Sequence, residues 1–138
     1  MSNVQFVKDV YEAFGRGDIP TVLGAMDPAV EWRAAEGHPY MPSGEPWIGP
    51  DEVLHQLFMK IGTDWDGFKV HPNIFHDAGD TVVVEVRYTG RGKTTGKEAG
   101  TGIQACHIWR VRDGRVVSFQ QYVDTAKLLD VMGITAAT

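Results

Sequence analysis

The feature that most constrains this chain is a change in the spacing of its apolar residues near position 65, from every third or fourth residue to every second. Val4, Val7, Val10, Tyr11 and Phe14 share one helical face, Ser2 and Gln5 are placed as a capping box, and Gly15-Arg16-Gly17 supplies the stop. Asp18 caps a second helix with Pro20 in its first turn; Ile19, Val22, Leu23 and Met26 then face inward until Asp27-Pro28 ends it. A short strand over 30–34 and a long loop to Gly49 follow. Pro50 opens a third helix with Val53, Leu54, Leu57, Phe58 and Ile61 on its inner face.

Beyond that helix, 68–75, 81–89, 99–111 and 115–124 alternate as four strands separated by short turns, which makes an antiparallel meander. Asp124 is placed to cap a last helical stretch, Thr125–Met132. Helices followed by consecutive strands pack as helices against the concave face of one strongly curved sheet. The expected fold is therefore α+β: an antiparallel or mixed sheet forming a cone around three helices of the N-terminal half, in one domain spanning 1–138.

Composition removes several function classes. A net charge of −5 with no concentrated Lys/Arg face argues against binding a phosphate backbone, and Arg110, Arg112 and Arg115 read as a solvated hairpin end. No apolar stretch approaches the roughly 20 residues of a membrane span. The single Cys106 cannot form an internal disulfide, and no basic region with an apolar run opens the chain, so a cytoplasmic location is expected. The histidines at 38, 55, 71, 76 and 107 lack the spacing of a metal motif, and no metal is expected. Gly92-Lys93-Thr94 lacks the earlier glycine of a phosphate loop. Cys106 and His107, adjacent on a strand, point to opposite faces and cannot pair as thiolate and base.

Alternation also selects the candidate site. If Phe119 and Val123 face the cone, Gln121 does too, while Ile103, Ala105, His107 and Trp109 share one face of the neighbouring strand. His107 is then either a catalytic acid or base, near neutral pH if only partly desolvated, or a satisfied interior histidine. Tyr11 lies on an apolar stripe, and its hydroxyl needs a partner inside. Trp32, Tyr40, Trp47, Phe58, Trp65, Trp109 and Phe119 either line a pocket for a flat apolar molecule or fill the cone, filling being the stronger reading for Phe58 and Trp65. Glu36-Gly37-His38 sits on the long loop at a candidate cavity mouth.

Val10-Tyr11-Glu12-Ala13-Phe14 with Gly17-Asp18, Asp27-Pro28 leading into Val30-Glu31-Trp32, Gly49-Pro50, and the closing Phe119-Gln120-Gln121-Tyr122-Val123-Asp124 together resemble the nuclear transport factor 2-like superfamily. Within it the chain is most similar to the SnoaL-like branch related to ketosteroid isomerases. That resemblance implies a homodimer through the outer sheet face, with Glu85, Arg87 and Gln104 as contacts. It also implies a cofactor-independent isomerase, cyclase or lyase acting by proton transfer on a small hydrophobic or aromatic molecule in the cone. His107 would be the acid/base, Tyr11 the donor to an oxyanion, and Gln121 the substrate orienter. Trp32 stands where ketosteroid isomerases carry their proton-shuttling carboxylate, which disfavours steroid isomerisation. Gln121 stands where SnoaL-like cyclases carry their acid/base Asp, and an amide cannot replace it. A non-catalytic binding module with the same pocket, or a dimeric interaction scaffold with a filled cone, stand as alternatives.

Overall fold

The computed structural model describes residues 2–135. Helix α1, Asn3–Gly15, begins where the Ser2 side chain accepts the Gln5 amide, and it buries Val7, Val10, Tyr11 and Ala13. Helix α2, Ile19–Gly24, is capped by Asp18, whose side chain accepts the Thr21 amide. It is shorter than the spacing predicts. Met26 leaves the helix to open strand β1, Met26–Arg33, and Asp27-Pro28 lies inside that strand. The cause is local: Asp27 Oδ1 accepts the Ala29 amide at 2.8 Å, and the ladder register shifts between Met26 and Glu31. In such a bulge the missing N–H of a proline is tolerated.

The long loop ends in a two-residue strand that its Gly and Pro content hides: β2, Trp47–Ile48, pairs antiparallel with β1, Trp47 opposite Trp32. Gly49 then turns the chain with φ 85°, and a Cβ there would meet the Pro28 carbonyl oxygen at 3.1 Å. The third helical stretch is not uniform. It runs as α3, Pro50–Val53, a π-helical turn over Leu54–Phe58, and α4, Met59–Asp64. Leu57, Phe58 and Ile61, which flank or belong to that widened turn, line one internal cavity.

Strands β3, Trp65–Ala78, β4, Thr81–Gly92, β5, Ile103–Arg112, and β6, Arg115–Val123, complete a six-stranded sheet in the order β2-β1-β6-β5-β4-β3. β1 runs parallel to β6 and all other neighbours are antiparallel, so the sheet is mixed and open. β3 and β4 exceed their predicted lengths because they stay paired out to Trp65 opposite Gly92. β5 starts at Ile103 instead of 99, since Ala99 and Gly102 close a turn through a 3.1 Å backbone bond.

Alternation sets the inner face as the sequence indicates. Val82, Val84, Val86 and Tyr88 of β4 and Ile103, Ala105, His107, Trp109 and Val111 of β5 are buried, and Phe119 and Gln121 of β6 join them. Asp124 caps helix α5, Thr125–Met132, by accepting the Lys127 amide, and the helix buries Leu128, Val131 and Met132. It is seated on the end of β4, where Thr95 Oγ1 donates to the Val131 carbonyl at 2.6 Å. No helix of the described residues is long and apolar enough to cross a membrane.

Candidate functional site

The inner face encloses a cavity between the sheet, α1, the 54–61 stretch and α5. The cavity volume is about 90 Å³. That is well below the roughly 300–1,000 Å³ of typical small-molecule sites, so the interior is a narrow slot. Trp32, Tyr40, Phe58, Trp65, Trp109 and Phe119 line it, and so do Tyr11, His38, His107 and Gln121. Phe58 and Trp65 are thus wall residues, against the stronger expectation that they only fill. Trp47 is a correction in the other direction. It is buried but lies outside the lining, because its strand pairs with the far side of β1.

The wall is built by ring-on-ring packing: Trp32 stacks on Phe119 at 3.8 Å between centroids, and Trp109 meets Phe119 edge-on at 4.7 Å. Set into this apolar surface is a continuous polar chain. Trp109 Nε1 donates to the Tyr11 hydroxyl at 2.8 Å. Tyr11 is bonded to His107 Nδ1 at 2.7 Å, and His107 Nε2 is bonded to the Tyr88 hydroxyl. Gln121 Nε2 donates to Tyr88 at 3.0 Å, and the Ala35 amide donates to Gln121 Oε1 at 3.3 Å. His107 and Gln121 are directly opposed across the β5–β6 ladder.

The sequence reading of a histidine poised near neutrality changes here. Burial pushes His107 down to about 3, so the ring is neutral at ordinary pH. Burial likewise raises Tyr11 and Tyr88 above the usual phenol range, which keeps both as hydroxyls. Protons in the chain can then be counted. Ala35 fixes the Gln121 amide, so Gln121 and Trp109 each feed a donor in from their own end. Between them lie the two tyrosine–imidazole bonds. Two hydroxyls and one imidazole N–H bring one proton more than those bonds use. With the ring proton on Nε2, Tyr11 donates to Nδ1 and the Tyr88 proton is spare; with it on Nδ1, the spare proton is on Tyr11. Among the described residues neither hydroxyl has another partner, and both tyrosines line the cavity.

His38 is placed by the turn that follows β1: its amide donates to the Ala35 carbonyl at 3.1 Å. The Tyr40 amide donates to His38 Nδ1 at 3.1 Å, and burial pushes the ring down to about 4. His38 is therefore neutral with its proton on Nε2. Glu36 and Gly37, its sequence neighbours, are exposed and outside the lining. The Tyr40 hydroxyl donates to Asp64 Oδ2 at 2.5 Å; burial first, and then that carboxylate, raise its pKa.

Tyr88 is the member of the chain that the sequence reading misses. The signal was present: it is the one polar-tipped residue on a face otherwise made of Val82, Val84 and Val86. Leu128 and Met132, also in the lining, come from the last helix. On the opposite sheet face Cys106 is half-buried, Glu85 accepts from or pairs with His76 Nε2 at 2.7 Å, and Arg87 donates to its own chain's Gly102 carbonyl at 3.2 Å. Among the described residues no three His, Cys, Asp or Glu side chains come together as a metal site would require.

A curved mixed sheet wrapped on N-terminal helices around a lined cavity defines the nuclear transport factor 2-like class. The chain matches the SnoaL-like domain over residues 7–119, and it belongs to that family. Among solved structures, it is similar to a nuclear transport factor 2-like protein of Burkholderia thailandensis E264, with 33% identity, a TM-score of 0.87, and coverage of 96% of this chain and 98% of that one. A second such protein, from Burkholderia pseudomallei K96243, shows 32% identity, TM-score 0.84 and the same coverages of 96% and 98%. TerC co-crystallised with polyporic acid shows 25% identity and TM-score 0.82 over 95% of this chain and 98% of that one. None of the curated proteins compared with the chain matches it.

Proposed function

We propose that this protein is a cofactor-independent SnoaL-like enzyme, cytoplasmic in location, that moves a proton on a small hydrophobic or aromatic substrate held in the cavity, as an isomerase, cyclase or lyase does. The observation that carries this reading is the Tyr11–His107–Tyr88 chain, a neutral imidazole bonded at both nitrogens to hydroxyls that line an aromatic wall. A neutral ring takes a proton at one nitrogen while releasing one from the other. The two tyrosines extend that exchange to the cavity, one as donor to a substrate oxygen gaining charge, the other as the route back. No isolated charge then has to stand in dry surroundings, where it would be costly. Gln121 holds Tyr88 in place. Crystallisation of the TerC relative with polyporic acid supports a small organic molecule as ligand.

A second reading, a binding module without turnover, is favoured by a lining in which none of the described residues carries a carboxylate. The deciding experiment is a screen of ketones in deuterated water for accelerated exchange of the protons beside the carbonyl, comparing the parent protein with His107→Ala. Acceleration that His107→Ala abolishes supports the enzyme; unchanged turnover in that variant removes His107 from the mechanism. The assembly proposed with this function is a homodimer through the outer sheet face, where Ile74 and Tyr122 are 49% and 55% exposed beside Glu85, Arg87 and Gln104.

A further inference from the structure

At about 90 Å³ the cavity is smaller than a small-molecule site, so a molecule enters it only if part of the wall moves aside. Residues 36–44 are the part tied most lightly. Their backbone bonds are local: the His38, Met41 and Gly44 amides donate to the Ala35, His38 and Met41 carbonyls at 3.1, 3.1 and 3.2 Å. Among the described residues, the hydrogen bonds that leave this segment for another element are those of the Tyr40 hydroxyl. They run to α4, to Asp64 Oδ2 at 2.5 Å and to the Lys60 carbonyl at 3.3 Å. Gly37 and Gly44, with φ of 83° and 74°, bracket the stretch that carries His38, Tyr40 and Met41. His38 and Tyr40 line the cavity, and His38 and Met41 are buried. The segment is therefore a piece of the wall, hinged at both ends and pinned at Tyr40.

Its first turn is joined to the His107 chain. The Ala35 carbonyl holds the His38 amide, and the Ala35 amide, which only donates, holds Gln121 Oε1 at 3.3 Å and so turns Gln121 Nε2 to Tyr88. In that state the chain has one hydroxyl proton more than its bonds use. Once Ala35 moves off, the terminal amide of Gln121 is free about a nearly two-fold torsion, and it turns over to take the Tyr88 proton on Oε1. Tyr11 then donates to Nδ1, Nε2 donates to Tyr88, and Tyr88 donates to Gln121. Three protons fill three bonds and none is left over.

Resting on the reading of the Tyr11–His107–Tyr88 chain as the proton-moving group, we propose that residues 36–44 form a lid, latched by Tyr40 on Asp64, whose closure sets the Gln121 amide and thereby leaves that chain a proton to give. An open lid admits the molecule while the chain is idle; a closed lid readies the chain when the cavity is shut. Tyr40 and Asp64 are positioning residues, since they act through Ala35 and Gln121.

The test is amide hydrogen exchange followed by NMR, which reads lid opening in the resting protein. Tyr40→Phe removes the latch and keeps the ring, Gln121→Met removes the acceptor of the Ala35 amide, and Gln121→Glu keeps an acceptor there. The expected result is that Tyr40→Phe and Gln121→Met each speed exchange of the Ala35, His38, Met41 and Gly44 amides together, by about tenfold, with the β4–β5 ladder unchanged. Gln121→Glu should hold all four near the parent rates. Tyr40→Phe that frees 38–44 and leaves Ala35 protected, or Gln121→Met that frees Ala35 alone, overturns the proposal. So does no change at the four amides, or acceleration shared equally by the ladder. Either variant decides the matter if the other does not fold. Because exchange is read without turnover, an inactive protein with coupled amides would overturn the enzyme reading and leave the lid and its hold on Gln121 standing. Uncoupled amides in an active protein would overturn the lid alone.

Discussion

The Tyr11 hydroxyl lies 2.7 Å from His107 Nδ1, joining the first helix to the central strand β5 across 96 residues of sequence. That bond closes a chain in which each member holds the next. Tyr11→Phe strands the Trp109 N–H and one imidazole nitrogen in an apolar wall, and is expected to cost roughly 1–3 kcal/mol in urea unfolding. Combined with Tyr88→Phe it should deviate from additivity by more than about 0.5 kcal/mol, since both hydroxyls act on one ring. Strict additivity would show two independent bonds.

Acid should destabilise the fold earlier than carboxylate protonation alone. Burial lowers His107 to about 3 and His38 to about 4 from their ordinary value near 6.5. Below pH 6.5 the unfolded chain takes up protons at these rings that the folded chain refuses, so stability falls as pH drops, until the folded values are reached. The slope approaches about 1.4 kcal/mol per pH unit for each ring. Unfolding free energies at pH 7, 6 and 5 check this; a flat or rising series toward pH 5 contradicts it. His38→Phe should remove its share of the slope.

Gly92 is where α5 meets the sheet. A Cβ there would lie 2.2 Å from the Val131 carbonyl oxygen, a backbone atom that cannot step aside, whereas Gly15 has nothing within 4 Å. Gly92→Ala is expected to lower stability by about 2–3 kcal/mol or more through displacement of α5, and Gly15→Ala to leave it unchanged or slightly raised. Thermal unfolding of the two variants side by side makes the comparison.

The proposed dimer makes a prediction about the outer sheet face. Tyr122→Lys, at an exposed aromatic over that face, should shift light-scattering mass from two copies to one while leaving the inner-face chain intact. A parent protein that is monomeric at micromolar concentration contradicts the dimer.

Much of this site was legible before the fold was known, and for a physical reason. Side-chain alternation is strict along a strand, so placing Phe119 inward also placed Gln121, and placing Trp109 inward also placed His107. What was not legible depended on tertiary geometry. Tyr88 ended a run of valines that reads as plain core, and its hydroxyl matters only because it reaches His107 on the next strand. Asp27-Pro28 has the composition of a helix stop and lies in a bulged strand. Trp47 looked like a pocket residue because its loop is rich in aromatics, but pairing with β1 carries it away from the cavity. The depressed proton affinity of His107 follows from its burial in the folded chain, which spacing cannot measure.

The central claim is that the Tyr11–His107–Tyr88 chain moves a proton on a molecule held in the cavity. It is tested most directly by the rate at which the protein promotes deuterium incorporation beside the carbonyl of 1-tetralone, followed by proton NMR in deuterated water. The expected result is saturable acceleration that falls roughly 10²–10⁴-fold in the Tyr11→Phe, Tyr88→Phe double variant, the range typical of losing acid–base assistance. No acceleration by the parent protein with any ketone that binds, or acceleration that survives loss of both hydroxyls, would contradict the account.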